Sequence, residues 1–500
     1  MNDTMIQDYT PVLARYAQAK QRRDAWESHW QDCYDYALPQ RGFSTVWPAG
    51  GKRAEHLYDG TALDAVDQLA ASLLGHLTPP WTAWFGFKPG PELSPSEAQA
   101  LAPVLEQAAR IITGHFDASN FHVEMHQAFL DLVVGGTAAL YFEENAPGAM
   151  SAFRFSAVPL ADIVLEEGAQ GFLDGSYRAQ QLTLAQLTAR YGGDVVPDTI
   201  QRKGRRDPQA RFQVIESILP ESGLYHYTAL LVEDSHPVLL REGRFDESPA
   251  IAFRWMKSPG EIYGRSPVMK ALPDIKTANK VVELILKNAS IAVTGIWQAD
   301  DDGVLNPANI ELVPGAIIPK AVGSEGLRAL DMPGRFDVSQ IVLDDLRRRI
   351  RHALLTDRLG AVTDRRMTAT EVLERASEMA LLLGATYGRL QSELLTPLIL
   401  RAYNILRHRG EIPDIALDGR YVVLDYRSPL ARAQGQSCVQ NTLSWLNSIM
   451  AMGPEALTAV DLPRAARYLG DALGVPSDLI RKESPLDPII QPPEGEATHD

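Results

Sequence analysis

The residues best spaced for chemistry are His122 and His126, in the stretch His122-Val-Glu-Met-His126. On a helix, positions i and i+4 share a face, so two imidazoles there could hold one metal ion between them. A zinc hydrolase with this spacing places its glutamate directly after the first histidine, where it acts as general base. Here that position is Val123, and Glu124 points to another side of the helix. A structural histidine pair at a core edge is the plainer reading, with a metal-dependent hydrolase using His122 and His126 as its competitor. "GGKR" (50–53) resembles the end of a phosphate-binding loop, but Val46 stands where the leading glycine is needed and Arg53 replaces the Ser/Thr. In "VGSEG" (322–326) the serine directly follows the first glycine, unlike a nucleophile elbow. The adjacent acids Glu166/Glu167 and Asp344/Asp345 read as solvated turns or helix faces. No catalytic residue, metal site or cofactor is expected.

Charge is the other chemistry on offer. "RRRIRH" (347–352) sets Arg347, Arg348, Arg349 and Arg351 beside Asp344 and Asp345. On a helix these arginines cannot all face one way, and Leu343, Leu346, Ile350 and Leu354 form only a narrow apolar seam. Such a helix suits packing against neighbours of its own kind through ion pairs, or plain solvent exposure; both readings stay open. "RKGRRD" (202–207) reads as a polar loop, with solvation favoured over nucleic-acid contact by the acidic total. A third group, Asp364, Arg365 and Arg366, precedes Thr368 and Glu371, whose spacing is that of a capping box.

The elements that must position these groups follow from periodicity. The polar stretch 1–26 is helix-like and lacks the apolar core of a signal peptide. Residues 61–77 carry Leu63, Val66, Leu69, Ala70, Leu73 and Leu77 on one helical face behind Asp59 or Gly60. Helical patterns resume near 96–115 and 121–134. From about 138 the period changes to that of strands, in "FRFSAV", "DIVLEE", "RFQVIESIL" and "LYHYTALLVE", with one short helix over 183–192. Helices return over 268–290, with Pro273 in the first turns, and over 338–355, enclosing a broken, β-like segment. A helix of roughly 40 residues then starts at the capping box, which at about 1.5 Å per residue is roughly 60 Å long. Pro397 is expected to kink it, and Gly384 and Gly388 would admit a second helix. A strand over 420–426 and helices over 430–450 and 463–473 complete the pattern. The fold class is α+β, mainly helical.

Composition bounds the rest. At 500 residues, 45% hydrophobic and 22% charged, the chain should fold into more than one packing unit. A net charge of −15 argues against a surface devoted to gripping nucleic acid, though not against nucleic acid passing by. Cys33 and Cys438 form no spaced set and read as free thiols. "LVVGGTAALYF" (132–142) is too short to cross a bilayer, so no membrane partner is expected.

Taken together, "DGTALDAVDQLAASLLGHLTPPWTAWF" (59–85), "EIYGRSPVMKALPDIKTANK" (261–280), "RRMTATEVLERASEMALLLGATYGRLQSELLTPLI" (365–399) and "YRSPLARAQ" (426–434) resemble the head-to-tail connecting, or portal, proteins of short-tailed phages, in order from near residue 10 to about 475. The resemblance implies a ring, usually a dodecamer, at one capsid vertex of the virion, made in the host cytoplasm. Double-stranded DNA would enter and leave through its axial channel. It also implies an architecture: a wing (1–266, with a long helix and strand over 369–429), two stem helices (267–290 and 338–357), a clip between them (291–337), a channel loop (358–368) and a crown (430–475). The proline-rich acidic tail (476–500) is expected to be disordered. Implied partners are further copies of the chain, the large terminase subunit, tail adaptor and tail tube proteins, major capsid and scaffolding proteins, and the DNA. A non-ring internal scaffold protein of the virion is the remaining alternative. The implied channel-loop residues are Arg358, Thr363, Asp364, Arg365 and Arg366, with Asp357 offsetting the basic groups. Arg347, Arg348, Arg349, Arg351, Lys276 and Lys280 would lie between subunits or face the lumen. Trp297, Asp300, Asp301 and Asp302 would meet partners at the clip.

Overall fold

The computed structural model describes residues 9–42, 51, 53–233, 236–294, 297–299, 322, 327–329, 336–357, 383–427, 429–453, 456, 458 and 460–473. It mixes helices and antiparallel sheets, and the chain divides into two compact units. The first comprises Met1–Pro80, Ile111–Met367 and Leu383–Asp414; the second comprises Trp81–Arg110, Thr368–Leu382 and Ile415–Asp500.

In the first unit, α1 (Thr10–Ala37) and α2 (Thr61–Leu77) precede α4 (Phe121–Gly135), which follows α3 (Pro95–Asp117). Trp30 on α1 donates its indole N–H to the Gly135 carbonyl at 3.0 Å. The double glycine of the 132–142 run is where α4 turns into β2 (Thr137–Glu144). Gly136 caps the helix at φ 76, and a side chain there would strike the backbone of Gly264. β2 is the middle strand of a three-stranded sheet between β3 (Phe153–Val158) and β9 (Ala250–Arg254). Phe116, Phe121, Phe142, Phe153 and Phe155 pack ring to ring beneath it.

A second sheet of this unit has the order β4 (Ile163–Glu166), β5 (Gly175–Thr183), β6 (Arg211–Glu221), β7 (Leu224–Glu233), β8 (His236–Phe245). Alternation sends β6 side chains to opposite faces. Ile215 meets Tyr16 and Ala19 of α1 on one side. Val214 meets Leu187 and Ile200 on the other, where α5 (Leu184–Tyr191) and α6 (Asp198–Arg206) lie. The short helix expected over 183–192 is α5, opened by a complete capping box of Thr183 and Gln186. The segment 202–207, expected as a loop, is instead the second part of α6 (202–206) with Asp207 as its C-cap. Gly204 is the reason: a Cβ there would lie 2.5 Å from the Cβ of Leu184, so only glycine lets α6 seat against α5.

α7 (Pro267–Thr294) runs further than expected, so residues up to 294 belong to the helix and not to the broken segment that follows it. Within that segment β10 (Trp297–Ala299) pairs with β11 (Leu327–Ala329). α8 (Phe336–Ala353) packs against α2 and α7. The described part of the expected long helix is not one regular helix. α9 (Gly384–Leu390) passes through a π-helical turn (Gln391–Leu395) into α10 (Thr396–His408). Pro397 has no N–H for the carbonyl one turn back, and the widened turn absorbs that loss. Among the described residues neither Gly384 nor Gly388 has a neighbour that a side chain would touch.

In the second unit, β1 (Phe85–Pro89) pairs antiparallel with β12 (Val422–Tyr426), and Trp84 and Phe85 are buried beside that pair. α11 (Pro429–Met452) and α12 (Leu462–Leu473) contact each other.

Candidate functional site

The α7–α8 hairpin and its charges form the candidate site. The expected apolar seam of α8 is its buried face, with Leu343, Leu346, Ile350 and Leu354 all closed to solvent. That leaves the arginines around the remaining arc, and their environments differ. Arg347 reaches Asp59, which is 4% exposed, through Nε and Nη2, each at 2.8 Å. Asp59 sits just before α2 and also accepts from the Thr61 N–H at 3.0 Å. Burial pushes its carboxyl up, but the Thr61 and Arg347 donors outweigh burial and hold it below the usual carboxylate range. Asn279 of α7 completes this corner, accepting from the Tyr58 N–H at 2.7 Å and donating to the His56 carbonyl at 2.9 Å. One loop is thereby fixed to both helices of the hairpin.

Arg349 pairs with Asp274 of α7 at 2.9 Å, half in solvent. Among the described residues Arg348 approaches only Asp345, at 3.8 Å, with both side chains exposed. Arg351 is exposed and has no ion-pair partner among the described residues. On α7, Lys276 pairs with Asp32 of α1 at 2.7 Å and lies over the Tyr36 ring. Lys280 and Lys287 flank Glu283 at 2.9 and 2.5 Å. Their hydrogen bonds, Lys287 first, lower the Glu283 pKa. Asp344 and Asp345 are exposed as expected.

α8 ends in a turn that the sequence does not announce. Leu355 adopts φ 61, a left-handed conformation normally left to glycine. The Thr356 N–H reaches back to the Arg351 carbonyl at 2.9 Å, and Asp357 accepts from His352 at 3.0 Å. The turn thus fixes the direction in which the chain enters 358–368.

Arg358, Thr363, Asp364, Arg365, Arg366, Asp300, Asp301 and Asp302, like Thr368 and Glu371, lie outside the described residues. Trp297 is placed by its backbone opposite Ala329.

Away from the hairpin, the histidine pair does not gather ligands. His122 lies 3.6 Å from Asp117 and edge-on to Phe121. Glu124 accepts from the Ala157 N–H at 2.8 Å, holding β3 to α4. Among the described residues no group of three or more His, Cys, Asp or Glu is placed to hold a metal ion. Cys33 is a buried free thiol whose pKa is pushed up to about 12, chiefly by burial.

Glu166 and Glu167, expected as a solvated turn, are anchors. Glu166 accepts from Arg15 at 2.7 Å and from the Tyr177 hydroxyl at 3.2 Å, and Glu167 pairs with Lys257. Burial between α1 and the sheet makes the difference, and a pair of adjacent acids carries no sign of it. The sequence also carried no notice of a buried ionic junction between Arg254 and Glu393. Arg254, fully buried at the end of β9, donates to Glu393 from its backbone N–H at 2.9 Å, from Nε at 3.2 Å and from Nη2 at 2.6 Å. Nη1 and Nη2 also reach the carbonyls of Ile262 and Gly171 at 3.0 and 2.9 Å. Glu393 lies within the π-helical turn. The only advance signal was Pro397, which required an irregular turn near there.

The chain matches the family described as "Bacteriophage head to tail connecting protein" over residues 10–480, and it belongs to that family. It is 27% identical to the "Probable portal protein" of Bordetella phage BPP-1, over 94% of this chain and 88% of that protein. It is 26% identical to the "Portal protein" of Salmonella phage epsilon15 with the same coverage, and 23% identical to that of Escherichia phage T7 over 80% and 75%. The neck of an empty gene transfer agent particle aligns at 13% identity and a TM-score of 0.36, over 87% of this chain and 98% of that one. A score that low carries no argument. Among the described residues no helix is long and apolar enough to cross a membrane.

Proposed function

We propose that copies of this chain close into a ring at one vertex of a phage capsid, and that the ring is the conduit for double-stranded DNA entering and leaving the head. The observation that carries this reading is the family match over residues 10–480, with portal proteins among the relatives across nearly the whole chain. In this reading 1–266 and 369–429 are wing, α7 and α8 the stem, 291–337 the clip, 358–368 the channel loop and 430–475 the crown. Exposed Arg348 and Arg351 are the stem charges left for a neighbouring copy or the lumen. Arg358, Arg365 and Arg366 belong to the channel wall, offset by Asp357 and Asp364, and Thr363 lies in the same loop. Trp297 and Asp300–Asp302 belong to the rim that meets the large terminase subunit and then the tail adaptor proteins. The net charge of −15 per copy fits a conduit, because a repulsive wall does not retain phosphates while sparse cations still act at short range. Such a protein acts by position and needs no catalytic residue.

Negative-stain imaging of the purified chain tests the reading directly. Closed rings of dodecamer size are expected, and a homogeneous non-ring particle would overturn it. Replacing Arg365 and Arg366 by glutamate is expected to leave rings intact while altering packaged genome length or titre. Unchanged length and titre would remove those two arginines from the channel wall.

A further inference from the structure

The basic segment 202–207 finds no use in the conduit reading, and its structure differs from the loop expected of it. As part of α6 its side chains have fixed directions. At about 100° per residue, Ile200 and Gly204, the buried positions, centre on one side of the helix. Arg202 then falls directly opposite, with Arg205 and Arg206 within roughly 60° on either side of it. All three are exposed. Arg205 donates to Gln201 at 3.1 Å, and none of the three has an ion-pair partner among the described residues.

Of the two acids beside them, Asp198 lies on the same side of the helix, four residues before Arg202, without an ion pair to it among the described residues. Asp198 stands in the first turn, where the helix dipole favours a carboxylate. Asp207 follows the last turn, its carboxylate accepting from the Gln209 N–H at 3.0 Å. An acidic chain thus mounts a rigid face of three arginines with one carboxylate, net positive, on a sheet.

We propose that this face of α6 binds the phosphate backbone of duplex DNA, without reading its sequence. Three observations favour that occupant. The three guanidinium groups carry permanent positive charge that neutralises phosphates. From Arg202 to Arg206 the helix axis advances about 6 Å, a length over which a duplex carries three to four charges at about one per 1.7 Å. The outward face holds Asp198, Thr199, Gln201, Lys203 and the arginines, so cations outnumber the single carboxylate, and no large apolar side chain is exposed between Val195 and Leu224. A protein partner would need an apolar centre to its interface, and a phosphate backbone needs none. The net charge does not forbid contact, because at physiological salt the field of distant acids is screened within about 8 Å. The inference goes beyond the conduit reading, since α6 is seated by its own sheet and requires neither the 358–368 loop nor a closed ring.

The test is binding of a random-sequence 30-base-pair duplex to the purified full chain, titrated with salt between 0.05 and 0.2 M. The variant Arg202→Gln/Arg205→Gln/Arg206→Gln leaves Ile200 and Gly204 untouched. It is expected to weaken binding about tenfold or more and to make the log–log salt slope shallower by about 2 to 3, near 0.9 per lost phosphate contact. The charge-preserving variant Arg202→Lys/Arg205→Lys/Arg206→Lys is expected to bind within a few-fold of the wild type. Wild-type binding that is absent, or equal in affinity and slope to the glutamine variant, overturns the inference. So does a lysine variant that loses binding as the glutamine variant does, because structure and not charge would then be responsible. Displacement of the duplex by poly-glutamate at matched charge would assign the face to acidic proteins instead. Rings that ignore duplex would remove only this inference, and duplex binding without rings would remove only the conduit reading.

Discussion

Arg254 and three of the four arginines of α8 stand near carboxylates, yet they serve different ends. Arg254 is fully closed to solvent, and nearly all its donors are committed to Glu393 or to backbone carbonyls. Along α8 the partners grade from the buried Asp59 at 2.8 Å, through Asp274 at 2.9 Å, to a loose approach at 3.8 Å and then to no partner among the described residues. A buried, fully satisfied pair cannot be redirected, because separating it strands a charge away from water. An exposed pair contributes little and can change partners at small cost. The first kind of arginine fixes a fold, and the second is available to another molecule. Arg348 and Arg351, like Arg202, Arg205 and Arg206 on α6, are of the second kind.

The contrast can be broken most forcefully at Glu393. Glu393→Ala is expected to cost about 3–5 kcal/mol in chemical denaturation, since it leaves the Arg254 guanidinium buried without its counter-ion. A loss below about 1 kcal/mol would put the junction on a level with the surface pairs and erase the distinction. The gradient on α8 predicts a smaller and ordered effect. Arg347→Ala should cost about 1–3 kcal/mol because Asp59 stays buried, whereas Arg348→Ala should stay within about 0.5 kcal/mol. Equal losses for the two would show that exposure does not rank these arginines.

Asp131 sharpens the comparison through pH. It is buried between Arg41 at 3.0 Å and the Tyr34 hydroxyl at 2.7 Å. Burial outweighs both partners and raises its pKa from 3.8 to about 6. The folded state therefore binds this proton more tightly than the unfolded chain. Its contribution to stability is full below the unfolded value and is lost as pH rises through about 6. Asp131→Asn should flatten the stability profile between pH 4 and 6 by at most about 1.4 kcal/mol per pH unit. An unchanged slope would mean that Arg41 compensates the buried charge fully.

Helices and strands were legible wherever one side of an element is buried, because burial imposes a period on the residues. The α8 seam, the α2 face and β4, β6 and β7 of the larger sheet follow from that rule, whereas β5 and β8 of the same sheet were not anticipated. The errors fell where a single local feature overrode composition. Gly204 made a helix of a charged stretch, the π-helical turn broke an apolar stripe, and burial converted Glu166 and Glu167 into anchors. Of the candidate site, the sequence identified the arginines of α8 but not their ranking. Asp59 lies 288 positions from Arg347, and nothing local ties the two together.

By itself, then, the sequence determined the order and type of most elements, the membership of the family and the places where cations cluster. These are properties of short windows, or of ordered stretches that can be compared directly. Tertiary structure decided which cations are spent and which are free, where α8 turns at Leu355, and that α6 presents a face of arginines. Each of those depends on desolvation and on partners brought together from distant parts of the chain, and a charge does not reveal in sequence whether its neighbour in space will be a carboxylate or water.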